Sequence, residues 1–298
     1  MPAGLLLESM TLTDWYAHGN RAPVKLASGS FGIFSRHDGH GPWCTLFHGF
    51  PTSSWDWHYV WPAVTARRRA LTFDFLGFGD SEKPREHVYS IHEQADLAVA
   101  VWRRHGVTHT DLVVHDYGVS VAQEVLARHA EGTLGVELTG VTFLNGGLYP
   151  DLHRPQPGQL MLLDPVQGPK LGELVTAETF SQALRATYAP ERQPTISELA
   201  DQWQTVSRHD GHRIGHLLIQ YIHDRQRHAA RWVGALETTR LPRHFIWGML
   251  DPVSGAHMMA RIAERMPDAD ILCLDDVAHW PQLEDPERVA AKLEQILH

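Results

Sequence analysis

Short runs that are apolar on both faces recur along the first half of the chain, separated by segments with helical spacing. "CTLFHG" (44–49), "RALTFDF" (69–75), "TDLVVHD" (110–116) and "GVTFLNGG" (140–147) are such runs, each closing near Gly or Asp. They predict strands of a parallel sheet covered by helices on both sides. Between the second and third run, "SIHEQADLAVAVWRRHG" predicts a helix. Ser90 is its N-cap, Glu93 completes a capping box, and Gly106 stands just past its end. A second helix is predicted over "VSVAQEVLARHA", directly after "HDYG".

The texture changes from 148 to 240. Prolines stand at 150, 155, 157, 165 and 169, and the stretches that follow, among them "ISELADQWQTVSRH" and "RIGHLLIQYIHDRQRHAARWVGALE", read as helices with no convincing strand. Strand patterns return in "RHFIWGMLD" (243–251) and "DADILCLDD" (268–276), and Asp285-Pro286 opens a closing helix. The expected architecture is one α/β core domain, residues 1–147 and 241–298, with a mostly parallel sheet flanked by helices. A helical cap, residues 148–240, is inserted into it.

Composition narrows the function. The chain has 298 residues, 43% hydrophobic and 20% charged, which suits a soluble globular enzyme. A formal net charge of -9, with the 21 histidines neutral, argues against a nucleic-acid partner. Cys44 and Cys273 both fall in apolar runs and are expected as buried free thiols of a reducing compartment. The N-terminal "MPAGLLLESM" lacks a basic region and meets Glu8 after one short apolar run, so it is a poor signal peptide. No run approaches the roughly 18–20 apolar residues of a membrane span. A cytoplasmic location is expected. "GFGDSE" lacks the third glycine of a dinucleotide fingerprint, and no nucleotide or other cofactor is expected. His212 and His216, with His209 nearby, have a spacing that can hold metal. With so many histidines and no H-E-x-x-H, they are expected on a solvated helix face, with no metal.

The chemistry gathers at three strand ends. Asp116 stands between a strand and a helix, with Gly118 two residues on. That is the setting of a nucleophile elbow carrying aspartate instead of serine, although an ordinary strand-end helix cap is also open from "HDYG" alone. "LFHGFPTSSWDW" (46–57) turns sharply, so the backbone N–H groups of Phe50 and Tyr117 are candidates for an oxyanion hole. His279, in "DVAHWPQLEDP", is the candidate general base, and Asp251, in "WGMLDPVSG", the carboxylate that orients it. The order nucleophile, acid, histidine is that of an α/β-hydrolase triad.

"HGFP", "DFLGFGDSEKP", the "DYG" elbow and the late "HWPQ" together resemble the epoxide hydrolase and haloalkane dehalogenase branch of the α/β-hydrolase superfamily. With "NGGLYPDLHRP", "LLIQYI", "ARWVGAL" and "PQLEDP", the chain is most similar to the mesoderm-specific transcript family. The resemblance implies a covalent ester on Asp116. It also implies a small apolar substrate and water as the only partners, and a pocket that draws on His48, Trp55, Trp203 and Trp280. Dehalogenases of this branch bind halide through a Trp after the nucleophile and an Asn in the "HGN" position, where this chain has Tyr117 and Phe50. Other indoles, among them Trp57 and Trp232, keep the dehalogenase alternative open. Epoxide hydrolases use lid tyrosines, for which Tyr221 is the first candidate and Tyr188 and Tyr149 are the others. The reading is an epoxide hydrolase. Its alternatives are a haloalkane dehalogenase and a non-catalytic binding relative that keeps the triad.

Overall fold

The computed structural model describes residues 10–297, and within it the apolar runs become strands of one eight-stranded sheet. The strands are β1 (Asn20–Leu26), β2 (Gly29–Asp38), β3 (Trp43–Phe47), β4 (Arg69–Phe73), β5 (His109–His115), β6 (Glu137–Leu144), β7 (Arg243–Gly248) and β8 (Asp270–Leu274). Their order across the sheet is β1-β2-β4-β3-β5-β6-β7-β8. β1, β2 and β4 pair antiparallel, and β3 to β8 pair in parallel.

Successive side chains leave opposite faces of a strand, so a strand covered on both sides must be apolar throughout. In β5, Leu112 and Val114 enter one core and Val113 the other. In β7, Phe245 and Trp247 face the first and Ile246 the second. The first core is roofed by the helices Ile91–His105, Tyr117–Ala130, Ala229–Thr238 and Ala256–Arg265. The second lies against Trp61–Thr65 and Pro286–Ile296. The Ile91–His105 helix has Ser90 accepting the Glu93 N–H and Gly106 in the left-handed conformation as expected, but the capping box is half formed, because the Glu93 carboxylate bonds Ser28 and His87 and not the Ser90 N–H.

The β1–β2 hairpin is absent from the sequence reading. β1 buries only Val24 and Leu26, so this edge strand carries no continuous apolar signal. The strand ends also move. β6 stops at Leu144, β7 at Gly248 and β8 at Leu274, which leaves Asn145, Asp251 and His279 on loops beyond the strands' carboxyl ends. Crevices at those ends are where open α/β sheets bind ligands.

Between β6 and β7 the chain forms, among others, the helices Pro157–Leu163, Gln167–Leu174, Ala177–Arg185, Ile196–Ser207 and Tyr221–Arg227, several of which contribute residues to a cavity over His279 and Trp280. The long helix expected from Arg213 to Glu237 is broken. A 3₁₀ segment covers Arg208–Ile214, with His209 and Asp210 at positive φ, and short helices follow at Gly215–Leu218 and Tyr221–Arg227. His212 and His216 therefore fall on different elements, and the His212 ring packs on Trp203, 5.4 Å between centres. The helix Ala229–Thr238 already lies along Tyr117–Ala130. Trp232 Nε1 donates to the buried Glu124 at 2.7 Å, beside Arg128 and Arg231.

"DFLGFGD" is a structural lock. Asp74 Oδ1 accepts the Ser54 N–H at 2.8 Å and Oδ2 the Asp80 N–H at 2.7 Å. Gly79 has φ 49°, and a Cβ there would stand 2.0 Å from Asp74 Oδ2. Cys44 is buried as expected, but Cys273 is exposed, because β8 closes the sheet with one face left largely uncovered. The N-terminal stretch read against a signal peptide lies, as residues 1–9, outside the described residues. Among the described residues no helix is long and apolar enough to cross a membrane.

The Tyr117–Ala130 helix crosses β3 so closely that a Cβ at Gly118 would stand 2.5 Å from the Phe47 carbonyl oxygen and 2.7 Å from Phe47 Cβ. Gly118→Ala is expected to destabilise the fold by about 1–3 kcal/mol through overpacking. Urea unfolding checks it, and an unshifted midpoint would show that the helix can move aside.

Candidate active site

Asp116 ends β5 with φ 43° and ψ -100°, a left-handed conformation rarely adopted by a residue with a side chain. The turn is held by neighbours. Asp116 N–H donates to the Asn145 carbonyl at 2.9 Å and Gly118 N–H to the His48 carbonyl at 3.0 Å. Space for it comes from glycines, since a Cβ at Gly49 or at Gly146 would lie 3.2 Å from Asp116 Cβ or Cα. Such strain is found where the surrounding structure over-determines it, commonly at functional sites.

The two carboxylate oxygens of Asp116 have different surroundings. Oδ2 accepts the Phe50 N–H at 3.0 Å. Tyr117 is the first residue of its helix, so its N–H has no acceptor within that helix. Oδ1 stands 3.9 Å from His279 Nε2 and 3.7 Å from Arg225 Nη2, with neither close enough for a direct hydrogen bond.

On the other side of His279, Nδ1 meets Asp251 Oδ2 at 2.8 Å. Asp251 is fixed by Asn145 Nδ2 at 3.0 Å, Ser254 Oγ at 2.6 Å and the Val253 N–H at 2.7 Å. Burial pushes its carboxyl pKa up, but the charge and hydrogen bonds of His279, with Ser254 and Val253, more than offset this and hold it well below the ordinary range. For His279, burial alone would lower the pKa. The two carboxylates, Asp251 bonded and Asp116 facing, overcome that and raise it to about 9. For Asp116, burial would raise the pKa, and the His279 and Arg225 charges with the Phe50 N–H bring it below the usual value.

The loop bearing His279 is tied at every polar point. Its N–H donates to the Thr187 carbonyl at 3.1 Å, and its own carbonyl accepts from His115 Nε2 at 2.8 Å. The buried Glu284 accepts the N–H groups of Ala278, Trp280 and Ala189 at 3.0, 2.9 and 2.9 Å. His115, Asn145, Glu284 and Arg225 are all absent from the sequence reading. Only Asn145 carried a signal, as the polar residue ending an apolar run. Burial lowers the His115 pKa to about 4, with the His279 charge adding to the effect, so its ring is a neutral donor.

A cavity of about 410 Å³ opens over His279 and Trp280. Its walls include Phe50, Phe78, Leu162, Phe180, Trp203 and Leu218, which are almost wholly apolar. Trp203 and Trp280 thus line it, while His48 and Trp55 do not. His48 is buried beneath the turn, its Nδ1 on the Gly49 carbonyl at 2.8 Å and its Nε2 accepting the Phe75 N–H at 3.1 Å. Trp55 stacks on His58 at 3.7 Å inside the second core. None of the three candidate tyrosines is in the cavity lining. Tyr221 is buried with its ring 4.9 Å from Tyr117 and 6.0 Å from Phe50. Tyr149 donates to Glu237 at 3.0 Å, and Tyr188 stacks on the lining residue Trp280 at 6.0 Å.

A strained turn at Asp116 and a loop histidine bonded to a carboxylate, both past the carboxyl ends of a parallel sheet, are the setting of the α/β-hydrolase class. Residues 46–292 match the alpha/beta hydrolase family, and the chain belongs to it. Within it the chain is similar to the human mesoderm-specific transcript homolog protein, 42% identical over 81% of this chain and 74% of that one. More distant relatives are an epoxide hydrolase B of Mycobacterium tuberculosis and a haloalkane dehalogenase 2 of Mycobacterium bovis. The first is 34% identical over 37% of this chain and 32% of that one, and the second 27% over 86% and 88%. A loop variant of the haloalkane dehalogenase DbeA from Bradyrhizobium elkanii superposes with TM-score 0.79 at 19% identity, over 94% of this chain and 95% of that one.

The electrostatics make a direct prediction. Asp116→Asn removes a negative charge that, with those of Asp251 and Glu284, raises the His279 pKa, so that pKa falls from about 9. Titration of the imidazole by NMR checks it. An unchanged midpoint would mean that Asp251 and Glu284 set the value.

Proposed function

We propose that this α/β hydrolase opens an apolar epoxide to a vicinal diol through an ester on Asp116. The observation that carries the reading is the unequal placement of the Asp116 oxygens, with Oδ2 on the Phe50 N–H and Oδ1 unbonded toward His279. A carboxylate so held needs no base to become a nucleophile. Oδ1 bonds to a ring carbon, the carbon–oxygen bond of the epoxide breaks, and the departing oxygen takes a proton from the Tyr221 phenol, which regains one from solvent.

Ester formation removes the negative charge of Asp116. His279 then loses one of its supporting charges and releases its proton to solvent, becoming the base that the second step requires. Nε2 takes a proton from water as the water oxygen bonds to Asp116 Cγ. The displaced electron pair goes to Oδ2, facing the N–H groups of Phe50 and Tyr117. Collapse breaks the Cγ–Oδ1 bond, and the diol leaves with Oδ1 and the proton from His279. We take the cover over the site to be the helices between 157 and 227, which supply Tyr221 and much of the apolar cavity wall.

Haloalkane dehalogenation would use the same Asp116 and is the second reading, favoured by the dehalogenase relative's long overlap with this chain. Against it, the Trp280 indole N–H is already given to Thr187 Oγ1 at 2.8 Å, Trp232 serves Glu124, Phe50 has no side-chain donor, and the buried Tyr117 hydroxyl is engaged with Gln94. A binding protein that keeps the triad without turnover would form no adduct at all.

His279→Phe, incubated with separate epoxide and haloalkane panels, is expected to accumulate an adduct on Asp116 with epoxides, read by intact and peptide mass. No adduct with either panel would sink the covalent reading. An adduct with haloalkanes alone would move it to the second. In the unmodified enzyme, a single turnover in ¹⁸O water is expected to give unlabelled diol and label in Asp116, because the product carries away Oδ1. The rate of ester hydrolysis should rise with pH and level off with a midpoint below about 9, the resting value for His279. A rate that falls with pH would rule out a neutral His279 as base.

A further inference from the structure

Arg225 is 1% exposed, on the helix that carries Tyr221, and its guanidinium is only partly used. Nε donates to Ser120 Oγ at 2.6 Å and Nη2 to the main-chain carbonyl of Asp116 at 3.1 Å. Nη1 is buried and has no hydrogen-bond partner. The Tyr221 hydroxyl, four residues earlier, is also buried with no hydrogen bond of ordinary geometry; it lies within the influence of the same guanidinium, whose Cζ is 4.5 Å from its ring. His153 Nε2 is a third such atom. Nη1 and the His153 ring both flank Gly147, where a Cβ would meet them at 2.4 and 3.2 Å. The chain next to His153 is tied to the cavity wall, since Arg154 N–H donates to the carbonyl of Val253, a lining residue.

A buried donor left unpaired is destabilising, so native structures seldom keep one, and a cluster of them beside a nucleophile calls for an explanation. An arginine cation satisfied on two of its three nitrogens, with the third bare, fits a site whose last partner is an oxygen brought by the substrate. The position of that nitrogen matters. Nη2 holds the Asp116 backbone and not its carboxylate, so the guanidinium is anchored at the nucleophile without consuming Oδ1.

We propose that Arg225 is a catalytic residue of ring opening, its Nη1 taking the departing epoxide oxygen as negative charge develops there, beside the Tyr221 hydroxyl that supplies the proton. The inference rests on the Asp116 ester reading. It gives this chain one phenol and one guanidinium around the leaving oxygen in place of two phenols, the Tyr149 hydroxyl being given to Glu237 and the Tyr188 ring stacked on Trp280. The balance is simple. The carbon–oxygen pair moves to the oxygen, Tyr221 gives the proton, and Arg225 stays protonated throughout.

The test measures ester formation by rapid-quench mass spectrometry in the His279→Phe protein, with a terminal alkyl epoxide over a range of concentrations. Adding Arg225→Met is expected to lower the maximal rate by on the order of 10²- to 10³-fold, the size seen when one oxyanion donor is lost. The half-saturating concentration should change little, because the oxygen is uncharged before the ring opens. Arg225→Ala should recover part of its rate when millimolar guanidinium is added. An unchanged maximal rate, a loss confined to the half-saturating concentration, or no recovery with guanidinium would each overturn the role. If Arg225→Met does not fold, Arg225→Lys keeps the charge but not the fork, and is expected to lose about tenfold or more in maximal rate. A full rate in that variant would overturn the proposal. No ester in the His279→Phe protein with Arg225 intact would instead sink the Asp116 reading itself.

Discussion

Two buried carboxylates sharing one imidazole form the constraint on which the site is built. Asp251 bonds His279 at 2.8 Å, and Asp116 faces the opposite nitrogen at 3.9 Å. With Arg225 3.7 Å from Asp116, the cluster holds two negative groups, one permanent cation and one imidazole drawn toward protonation. Charge this far from water persists only when it is paired and hydrogen-bonded, and removing one partner leaves the rest uncompensated. The surrounding loops therefore do not merely carry these side chains. They supply the N–H groups, hydroxyls and amides without which the charges could not be buried at all.

Asn145 shows how far that demand reaches. Its backbone carbonyl takes the Asp116 N–H, its side-chain amide reaches Asp251 and the Gly248 carbonyl, and its side-chain oxygen accepts the Gly248 N–H at 2.7 Å. One residue past the end of β6 thus fixes the ends of β5 and β7 relative to each other, and so the distance from nucleophile to acid. Glu284 performs the same service for His279, holding the backbone on both sides of it and the Ala189 N–H from the helical cover. Cover and core meet at the base, so the apolar cavity closes against a histidine whose backbone cannot shift freely.

The sheet and the placing of Asp116, Asp251 and His279 just past its strand ends were legible because each rests on local pattern. Two-faced apolar runs mark parallel strands, and a carboxylate or histidine just past such a run stands out. The β1–β2 hairpin was not legible, since an edge strand buries little and alternates weakly. The cover was legible as helical but not in detail: the break at His209 and Asp210 lies inside a stretch whose composition still reads as helix. Side chains that reach across the fold were the hardest. Tyr149 and Tyr188 looked like Tyr221 along the chain. Their partners, Glu237 and Trp280, are distant in sequence, and only the packing separates them. His48 and Trp55 sit in the motif that makes the oxyanion turn, yet they support it from beneath and take no part in the cavity.

Arg225 escaped notice for the opposite reason. In "YIHDRQRH" an arginine reads as one more solvated charge on a short helix. Its neighbour Arg227 is indeed largely exposed, paired with Asp224 at 3.1 Å. Two residues along a helix turn the side chain about 200° around the axis, so one guanidinium meets water and the other the elbow. The difference is decided by Ser120, a small hydroxyl on the helix that starts at the elbow, which bonds Nε. A bulkier residue there would fill the place the guanidinium occupies. The cation beside Asp116 therefore depends on the "YGVS" that follows Asp116 as much as on the Tyr221–Arg227 helix, and the two helices are fitted to each other at a single charged group.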